Sequence, residues 1–261
     1  MPAEFAWRRP MKKKFENVIW NLMEQYCQEK TVSNMWEKPV VKFASASDSK
    51  FFELREVVVP EHYVPTDYLK DAVTVLSYFL PFKREIPQTN VEGFGCSEVW
   101  ANSYLITNDM FGYINEHLVT AIREMGFDAA VPHDAGMISM EVPKSRWSQR
   151  HVAYIAGHGT FGLNNMLISD KGSAGRYNSI VTTIPVEADA VPTEERCLYK
   201  KNGSCGLCVK RCMTGALTVD GFDRFKCLEI CLENEKKYPG ADVCGKCVVE
   251  LPCSHMESTV V

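Results

Sequence analysis

The chain has 261 residues, of which 46% are hydrophobic and 24% are charged, and its formal net charge is −4. This composition is ordinary for a globular protein and excludes the disordered and fibrous classes. The acidic balance, with a pI near 5.9, provides no general attraction to nucleic acid, so we do not expect nucleic acid as a partner. The longest apolar run, residues 72–82, is too short to span a bilayer, so we expect no membrane association.

The first 80 residues contain four predicted elements. Apolar residues recur at helical spacing over residues 12–30, which indicates an amphipathic helix with one buried face. Two stretches rich in β-branched and aromatic residues, 40–43 and 54–59, favour short strands on either side of a polar loop. The apolar run at residues 71–80 stops at a proline and is typical of a buried central strand.

A loop and the most regular helix follow. Residues 81–95 contain two prolines and two glycines, which predicts a long loop of the kind that often carries function. Over residues 103–125 the apolar side chains follow one helical stripe, and Gly126 supplies a C-terminal stop. Residues 127–131 are predicted to form a short strand.

Three further segments are predicted before the cysteine-rich part of the chain. Val142-Pro143 leads into a helix over residues 144–155, and residues 177–185 read as a final strand. A polar linker at residues 187–195 then delivers the chain to the cysteines.

The spacing of Gly157, Gly159 and Gly162 matches G-x-G-x-x-G. In a dinucleotide-binding fold this motif follows a strand and opens a helix. Here it follows a predicted helix and runs into the strand-like residues 166–168, so a dinucleotide site is not favoured. Glycines in this number still permit close approach of the backbone to something flat or large.

Nine of the eleven cysteines lie between residues 197 and 253, in two groups. In the first group Cys205, Cys208 and Cys212 form C-x2-C-x3-C, which resembles the cysteine run of bacterial ferredoxins. Asn202 stands where that run has its first cysteine, and Met213 replaces the usual proline. A flexible loop would let the upstream Cys197 complete the ligand set.

The second group contains another C-x2-C pair, and eight ligands can be found among the nine cysteines. In two-cluster ferredoxins the last cysteine of each run ligates the other cluster. On this pattern we predict two 4Fe–4S clusters, with Cys231 left over as a possible replacement for Cys227 or Cys197. The predicted ligands are Cys197, Cys205, Cys208 and Cys253 for one cluster, and Cys212, Cys227, Cys244 and Cys247 for the other.

Zinc and disulfides are the alternatives for these cysteines. Structural zinc also uses C-x2-C pairs, but usually two of them, and the x3 spacing to Cys212 is typical of ferredoxins. A disulfide framework needs an oxidising compartment, whereas the N-terminus has no apolar segment of a secretory signal. We therefore expect a cytoplasmic, reducing location. Cys27 and Cys96 are isolated in sequence and are predicted to lie outside both clusters.

Three features together resemble one family. These are Ala-Gly-x-Gly-x-x-Gly-x-Asn at residues 156–164, Gly-Ser at residues 172–173, and the two-cluster cysteine pattern with Cys212-Met-Thr-Gly-Ala. The chain resembles epoxyqueuosine reductases and the catalytic halves of reductive dehalogenases, most specifically over residues 142–253. The resemblance implies an α+β fold class, with a nitroreductase-like α/β domain at residues 1–190 and a ferredoxin-like double 4Fe–4S module at residues 191–261.

The resemblance also implies a cofactor and its contacts. In this family the first domain holds cobalamin, and the clusters supply it with electrons one at a time. The residues that would lie against the corrin ring are Gly157, Gly159, Gly162, Asn164, Gly172 and Ser173.

The candidate proton donor departs from the family. Reductases that act on the queuosine epoxide carry an acidic residue three positions before the proline of this segment, where Pro143 places Met140. The adjacent Glu141 is our candidate catalytic residue, against the alternative of a solvated surface carboxylate. Many such reductases also carry a helical-repeat extension beyond the position of Cys253, so epoxyqueuosine itself is not the expected substrate.

The leading interpretation is a cobalamin-dependent reductase that receives electrons from a ferredoxin- or flavodoxin-type donor. The alternative is an electron-transfer protein with no substrate of its own, which reduces the corrinoid or redox centre of a partner protein. A zinc-ribbon interaction module would leave residues 1–196 without a role. Neither the substrate nor the oligomeric state follows from the sequence.

Overall fold

A computed structural model describes residues 8–256 of the chain, in which an antiparallel sheet forms the centre of a mixed α/β fold. The strands are β1 (Val40–Ser45), β2 (Thr74–Pro81), β3 (Ala129–Ala130), β4 (Gly159–Phe161), β5 (Leu167–Ser169) and β6 (Gly175–Thr182). The helices are α1 (Arg8–Lys30), α2 (Lys50–Val57), α3 (Pro65–Tyr68), α4 (Glu85–Gln88), α5 (Glu98–Glu124), α6 (Gln149–Ile155), α7 (Leu198–Asn202), α8 (Leu207–Arg211) and α9 (Arg224–Lys237).

The main sheet has the strand order β1-β2-β6-β3, and β4 pairs with β5 in a separate hairpin. All eight side chains of β2 are buried, which confirms the predicted central strand. Leu76 in β2 lies opposite Phe43 in β1 and Ile180 in β6, so these three strands share one register of buried side chains. Such full burial requires cover on both faces of the sheet.

Helices supply that cover. On one face, Leu76 and Leu80 belong to a core with Met23 of α1 and Met110 of α5. On the other face, Val75 belongs to a second core that contains side chains of α2 and α6. The sheet is therefore enclosed between two helical layers. Within residues 8–256, no helix combines the length and the apolarity that a bilayer crossing requires.

The two long helices are confirmed. The predicted helix at residues 12–30 is α1, and the predicted helix at residues 103–125 is α5. The latter begins five residues earlier than expected because Ser97 caps it, with its hydroxyl oxygen accepting a hydrogen bond from the Trp100 amide at 3.1 Å. Gly126 adopts a φ of +84° just beyond α5, as a helix stop requires.

One predicted strand is wrong. Residues 54–59 begin inside helix α2, which spans Lys50–Val57. Phe51 and Leu54 are buried and Val58 follows four residues later, while charged residues stand between them. This spacing is helical, and tertiary packing of that face outweighs the strand preference of the β-branched residues.

Two other predictions need new boundaries. The helix predicted at residues 144–155 begins only at Gln149, because the preceding backbone pairs with other segments: the Trp147 amide donates to the Asp134 carbonyl, and the Ser148 amide donates to the His62 ring. The predicted strand at residues 127–131 is reduced to the two residues of β3. The loop at residues 81–95 contains the short helix α4.

Trp147 is a central side chain of the second core, so its removal should destabilise the fold. Its ring is fully buried and stacks on Phe51 at 6.0 Å between centroids, and its indole N–H donates to the Ser179 hydroxyl at 3.0 Å. We expect Trp147→Ala to lower the free energy of unfolding by about 3–5 kcal/mol, because it leaves a cavity beside the sheet. Urea denaturation checks this. Trp20→Ala, at a half-buried position on α1, is the control, and an equal loss there would contradict the prediction.

Candidate functional site

Four cysteines line one cavity of about 120 Å³, although one of them is distant in sequence. Cys197 precedes α7, and Gly203, with a φ of +74°, ends that helix and turns the chain back towards α8. The cavity is completed by apolar side chains such as Leu251. Its cysteines are the four predicted as one ligand set, namely Cys197, Cys205, Cys208 and Cys253.

The other predicted set also gathers in space. Burial and the neighbouring thiols Cys244, Cys227, Cys212 and Cys208 together raise the pKa of Cys247 to about 12. Burial likewise raises the pKa of Cys244 to about 11. The Leu217 amide donates to the Cys212 sulfur at 3.3 Å, an N–H···S contact of the kind that tunes iron–sulfur potentials.

Cys231 lies one helical turn after Cys227 on α9 and shares a hydrogen bond with it. This bond, with Cys231 as donor, lowers the pKa of Cys227 to about 7, while the same contact and burial raise the pKa of Cys231. Both thiols therefore face the second set, and the choice between them as ligand stays open.

A loop before α5 holds the turn between Cys244 and Cys247. Asn90 donates from its side-chain amide to the Cys244 carbonyl at 2.8 Å. The buried Lys246 ammonium donates to the carbonyls of Asn90, at 2.9 Å, and Glu92, at 2.7 Å. Sequence reasoning missed these residues, since a single lysine between two cysteines gives no signal of burial.

Four cysteine thiolates are the ligand set that a four-iron cluster takes. Buried thiols that crowd together resist ionisation, as the raised pKa values show, unless a cationic centre compensates their charge. In the part of the chain that the structure describes, no three His, Cys, Asp or Glu side chains converge as ligands of one metal ion. A cubane binds each cysteine to a different iron, so its sulfurs stand farther apart than those around a single ion.

Three of the glycines predicted to face a corrin pack closely against the protein itself. A Cβ on Gly157 would meet the Ala190 carbonyl, one on Gly159 would collide with the Ile168 carbonyl, and one on Gly172 would collide with Ser254. Close backbone packing within the chain is therefore sufficient to require glycine at these positions.

Asn164 and Ser173 form hydrogen bonds to backbone carbonyls of the cysteine-rich part of the chain. The Asn164 side-chain amide donates to the Cys247 carbonyl at 2.5 Å, and the Ser173 hydroxyl donates to the Cys253 carbonyl at 3.0 Å. Gly162 and Asn164 also line the cavity that the first four cysteines share. Two of the six predicted corrin contacts thus bond to cysteine carbonyls, and whether the six also lie against a corrin stays a prediction.

Glu141 is exposed and lies at a surface cavity of about 620 Å³ that Lys144 and Arg224 also line. A hydrogen bond from Ser139 lowers the pKa of Glu141. At neutral pH this carboxylate is ionised, so it would have to take up a proton before it could donate one.

Three arginines from different elements meet beside the second cysteine set. They are Arg150 on α6, Arg176 on β6 and Arg224 on α9. Burial lowers the pKa of Arg150, and Arg224 and Arg176 lower it further, while Cys247 and Cys227 act in the opposite direction. Arg224 and Arg176 therefore lie close enough to Arg150 to act on its charge, and we name the region of these three arginines and Gln149 the arginine crevice.

The crevice retains unused hydrogen-bond donors. The Nη1 atom of Arg176 and the Nε2 atom of Gln149 are buried without a partner among the described residues. Each such group costs free energy unless a ligand or water satisfies it. No motif marks these residues, because they are isolated in sequence and only the fold brings them together.

The chain is similar in sequence to a curated protein. The epoxyqueuosine reductase of Bacillus anthracis is 24% identical over 212 residues, which cover 72% of this chain and 51% of that protein. The chain therefore spans about half the length of the curated relative it matches. No protein-family model matches the chain.

Solved structures share the fold. An epoxyqueuosine reductase crystallised with an epoxyqueuosine-modified tRNA-Tyr stem loop aligns with a TM-score of 0.54 at 19% identity, over 90% of this chain and 66% of that one. A reductive dehalogenase described in terms of B12-dependent dehalogenation aligns with a TM-score of 0.56 at 14% identity, over 84% of this chain and 30% of that one. The predicted resemblance is thus confirmed: the chain is similar in sequence to epoxyqueuosine reductase, and it has the fold that epoxyqueuosine reductases and reductive dehalogenases share.

Proposed function

We propose that the protein is an iron–sulfur, cobalamin-dependent reductase of the epoxyqueuosine reductase type. Two 4Fe–4S clusters would relay electrons from an external donor to a corrinoid that acts on a small substrate. The observation that carries the proposal is that Cys253, although distant in sequence, lines one cavity with Cys197, Cys205 and Cys208. This exchange of a late cysteine into the early set is the arrangement of two-cluster ferredoxins.

Each part of the chain has a role in this proposal. Residues 191–261 would form the ferredoxin-like cluster module, and residues 1–190 would form the domain that holds the acceptor. The clusters need deprotonated cysteines and a reducing compartment, so a cytoplasmic location belongs to the proposal. When bound, the clusters supply one-electron transfer and the corrinoid supplies a strongly reducing cobalt centre.

The chain's own residues would prepare the second set to accept an electron. Lys246 places a buried cation beside Cys244, and Arg150 and Arg224 lie beside Cys227. Positive charge stabilises an added electron more strongly in a poorly solvated site than in water. The arginine crevice, with its unpartnered donors at Arg176 and Gln149, is where we place the acceptor.

The alternative function is electron transfer to the corrinoid or redox centre of a partner protein. In support of this alternative, packing within the chain is sufficient to explain glycine at positions 157, 159 and 172 without a corrin. The clusters and the electron donor are common to both functions, and only the acceptor differs.

Nucleic acid is not part of the proposed function. The expectation that it is not a partner is in tension with the tRNA stem loop bound by one structural relative. The net charge of −4 still argues against a general affinity for RNA. We therefore propose a small molecule as substrate, and saturable binding of a tRNA-Tyr stem loop at physiological salt would replace that part of the proposal.

The clusters are tested by metal content. Protein purified without oxygen should contain about eight irons and eight sulfides per chain, the content of two cubane clusters. Iron and sulfide assays measure this, together with visible charge-transfer absorption. Two zinc ions in sulfur sites, with no such absorption, would refute the assignment.

Cys253 provides the sharpest test of the ligand sets. Cys253→Ser should lose or convert one cluster, up to about four of the irons, because it removes a ligand from the cavity that Cys197 shares. Cys27→Ser is the control and should retain both clusters, since Cys27 is on α1. The same iron assay on Cys227→Ser and Cys231→Ser identifies which of those two thiols is the ligand. Full iron in Cys253→Ser would contradict the proposed sets.

Cobalamin binding separates the two functions. Reconstituted protein titrated with hydroxocobalamin should show a spectral change that saturates at about one equivalent if the acceptor binds in the crevice. Arg176→Gln should weaken this binding at least about tenfold, because it removes a buried cation and hydrogen-bond donor. Arg123→Gln, an exposed position on α5, should not. No spectral change with the parent protein would support the electron-transfer alternative.

A further inference from the structure

A cation-rich surface surrounds the mouth of the cavity that the first cysteine set lines. Residues 197–212 contain four basic residues and no acidic one, although the whole chain has a net charge of −4. Lys200, Lys201 and Lys210 are exposed on α7 and α8. We name the surface formed by these three lysines with Leu198 and Leu207 the basic rim.

The basic rim also has an apolar part. Leu198 and Leu207 are each 41% exposed, which is unusual for leucines that flank a buried site. Leu198 and its neighbour Tyr199 line the cavity itself, and Leu207 lies between Gly206 and Cys208, which also line it. An exposed apolar centre with charged surroundings is the usual anatomy of a protein–protein contact.

Nearby groups compensate only part of this charge. Lys201 pairs with Glu194 at 2.9 Å, and both side chains are exposed. The Lys200 ammonium donates to the Phe161 carbonyl at 2.6 Å, which fixes its position without neutralising it. Of the three lysines, only Lys201 forms an ion pair with a carboxylate within residues 8–256. The basic rim therefore keeps a net positive charge.

Both cysteine sets are close to the surface, but only the first opens among the residues of the basic rim. Cys205 is half-buried and lines the same cavity as the exposed Leu198. Electron transfer between proteins weakens steeply with distance, so a carrier bound at the basic rim would be well placed to reduce a cluster at the first set.

We propose that the basic rim is the docking surface for an acidic one-electron carrier protein, of the reduced flavodoxin or ferredoxin class. This inference rests on the proposed function, since it requires a cluster at Cys197, Cys205, Cys208 and Cys253. One electron leaves the carrier and enters that cluster, and no bond is made or broken. Lysines attract an acidic partner over a Debye length of about 10 Å at 0.1 M salt, and the exposed leucines then exclude water at the contact.

Charge reversal at the basic rim tests this inference. We expect Lys200→Glu/Lys210→Glu to lower the second-order rate constant for cluster reduction by a reduced flavodoxin at least about tenfold at low ionic strength. Stopped-flow absorbance measures this rate. Reduction by methyl viologen radical, a small cation that needs no docking surface, should not slow. Iron content of the variant shows that the cluster is intact.

The control variant has the same change in net charge, but at lysines outside the basic rim. Lys13→Glu/Lys70→Glu alters exposed lysines on α1 and after α3, and its rate should stay within about twofold of the parent. Equal slowing of both double variants would show a general charge effect and overturn the docking surface. So would a parent rate with flavodoxin that does not fall as salt is raised, a measurement that needs no substitution.

Failure of this inference can be distinguished from failure of the proposed function. In one outcome, methyl viologen reduces the clusters while the substitutions at the basic rim leave the rate of reduction by flavodoxin unchanged. In that case only the docking surface is wrong. Binding of oxidised flavodoxin, measured by surface plasmon resonance, tests the surface without electron transfer. Binding that is unaffected by Lys200→Glu/Lys210→Glu would overturn it as well.

Discussion

Hydrogen bonds between the body of the fold and the carbonyls of the cysteine turns are the interactions on which the site depends. Asn164 binds the Cys247 carbonyl, Ser173 binds that of Cys253, and Asn90 binds that of Cys244. The cysteine-rich part needs such anchors because its own apolar core is small, consisting of Cys208, Leu217 and Leu251 with a few half-buried neighbours. Val248 and Val249 also join the main hydrophobic core, so packing and these hydrogen bonds together hold the turns.

The glycine-rich segment has a structural role that its sequence does not reveal. The sequence predicts a surface for a corrin there, because glycines permit close approach. The approach that the structure contains is that of the chain to itself, at the carbonyls of Ala190 and Ile168 and at Ser254. The same residues can still influence a cofactor, since they determine where the cysteine turns lie.

Charge is distributed unevenly around the two cysteine sets. Around the second set, Arg150 and Arg224 are half-buried and Lys246 is buried. Around the first set the cations are on the surface, as at Lys200 and Lys210, where salt screens them. Cations with little access to water stabilise a reduced cluster, whereas exposed cations speed the approach of a partner protein. This separation agrees with entry of electrons at one set and their departure from the other.

The sequence by itself determined the elements whose pattern is local and strong, namely α1, β2 and α5, and the division of the cysteines into two groups. It did so because helical periodicity, unbroken burial and ferredoxin-like spacing are all visible within a few residues. Only the tertiary structure decided that residues 54–57 are helical, that Lys246 is buried, and that Arg150, Arg176 and Arg224 share one crevice. Those outcomes depend on contacts between segments that are distant along the chain, and no local pattern records which distant surface a side chain will meet.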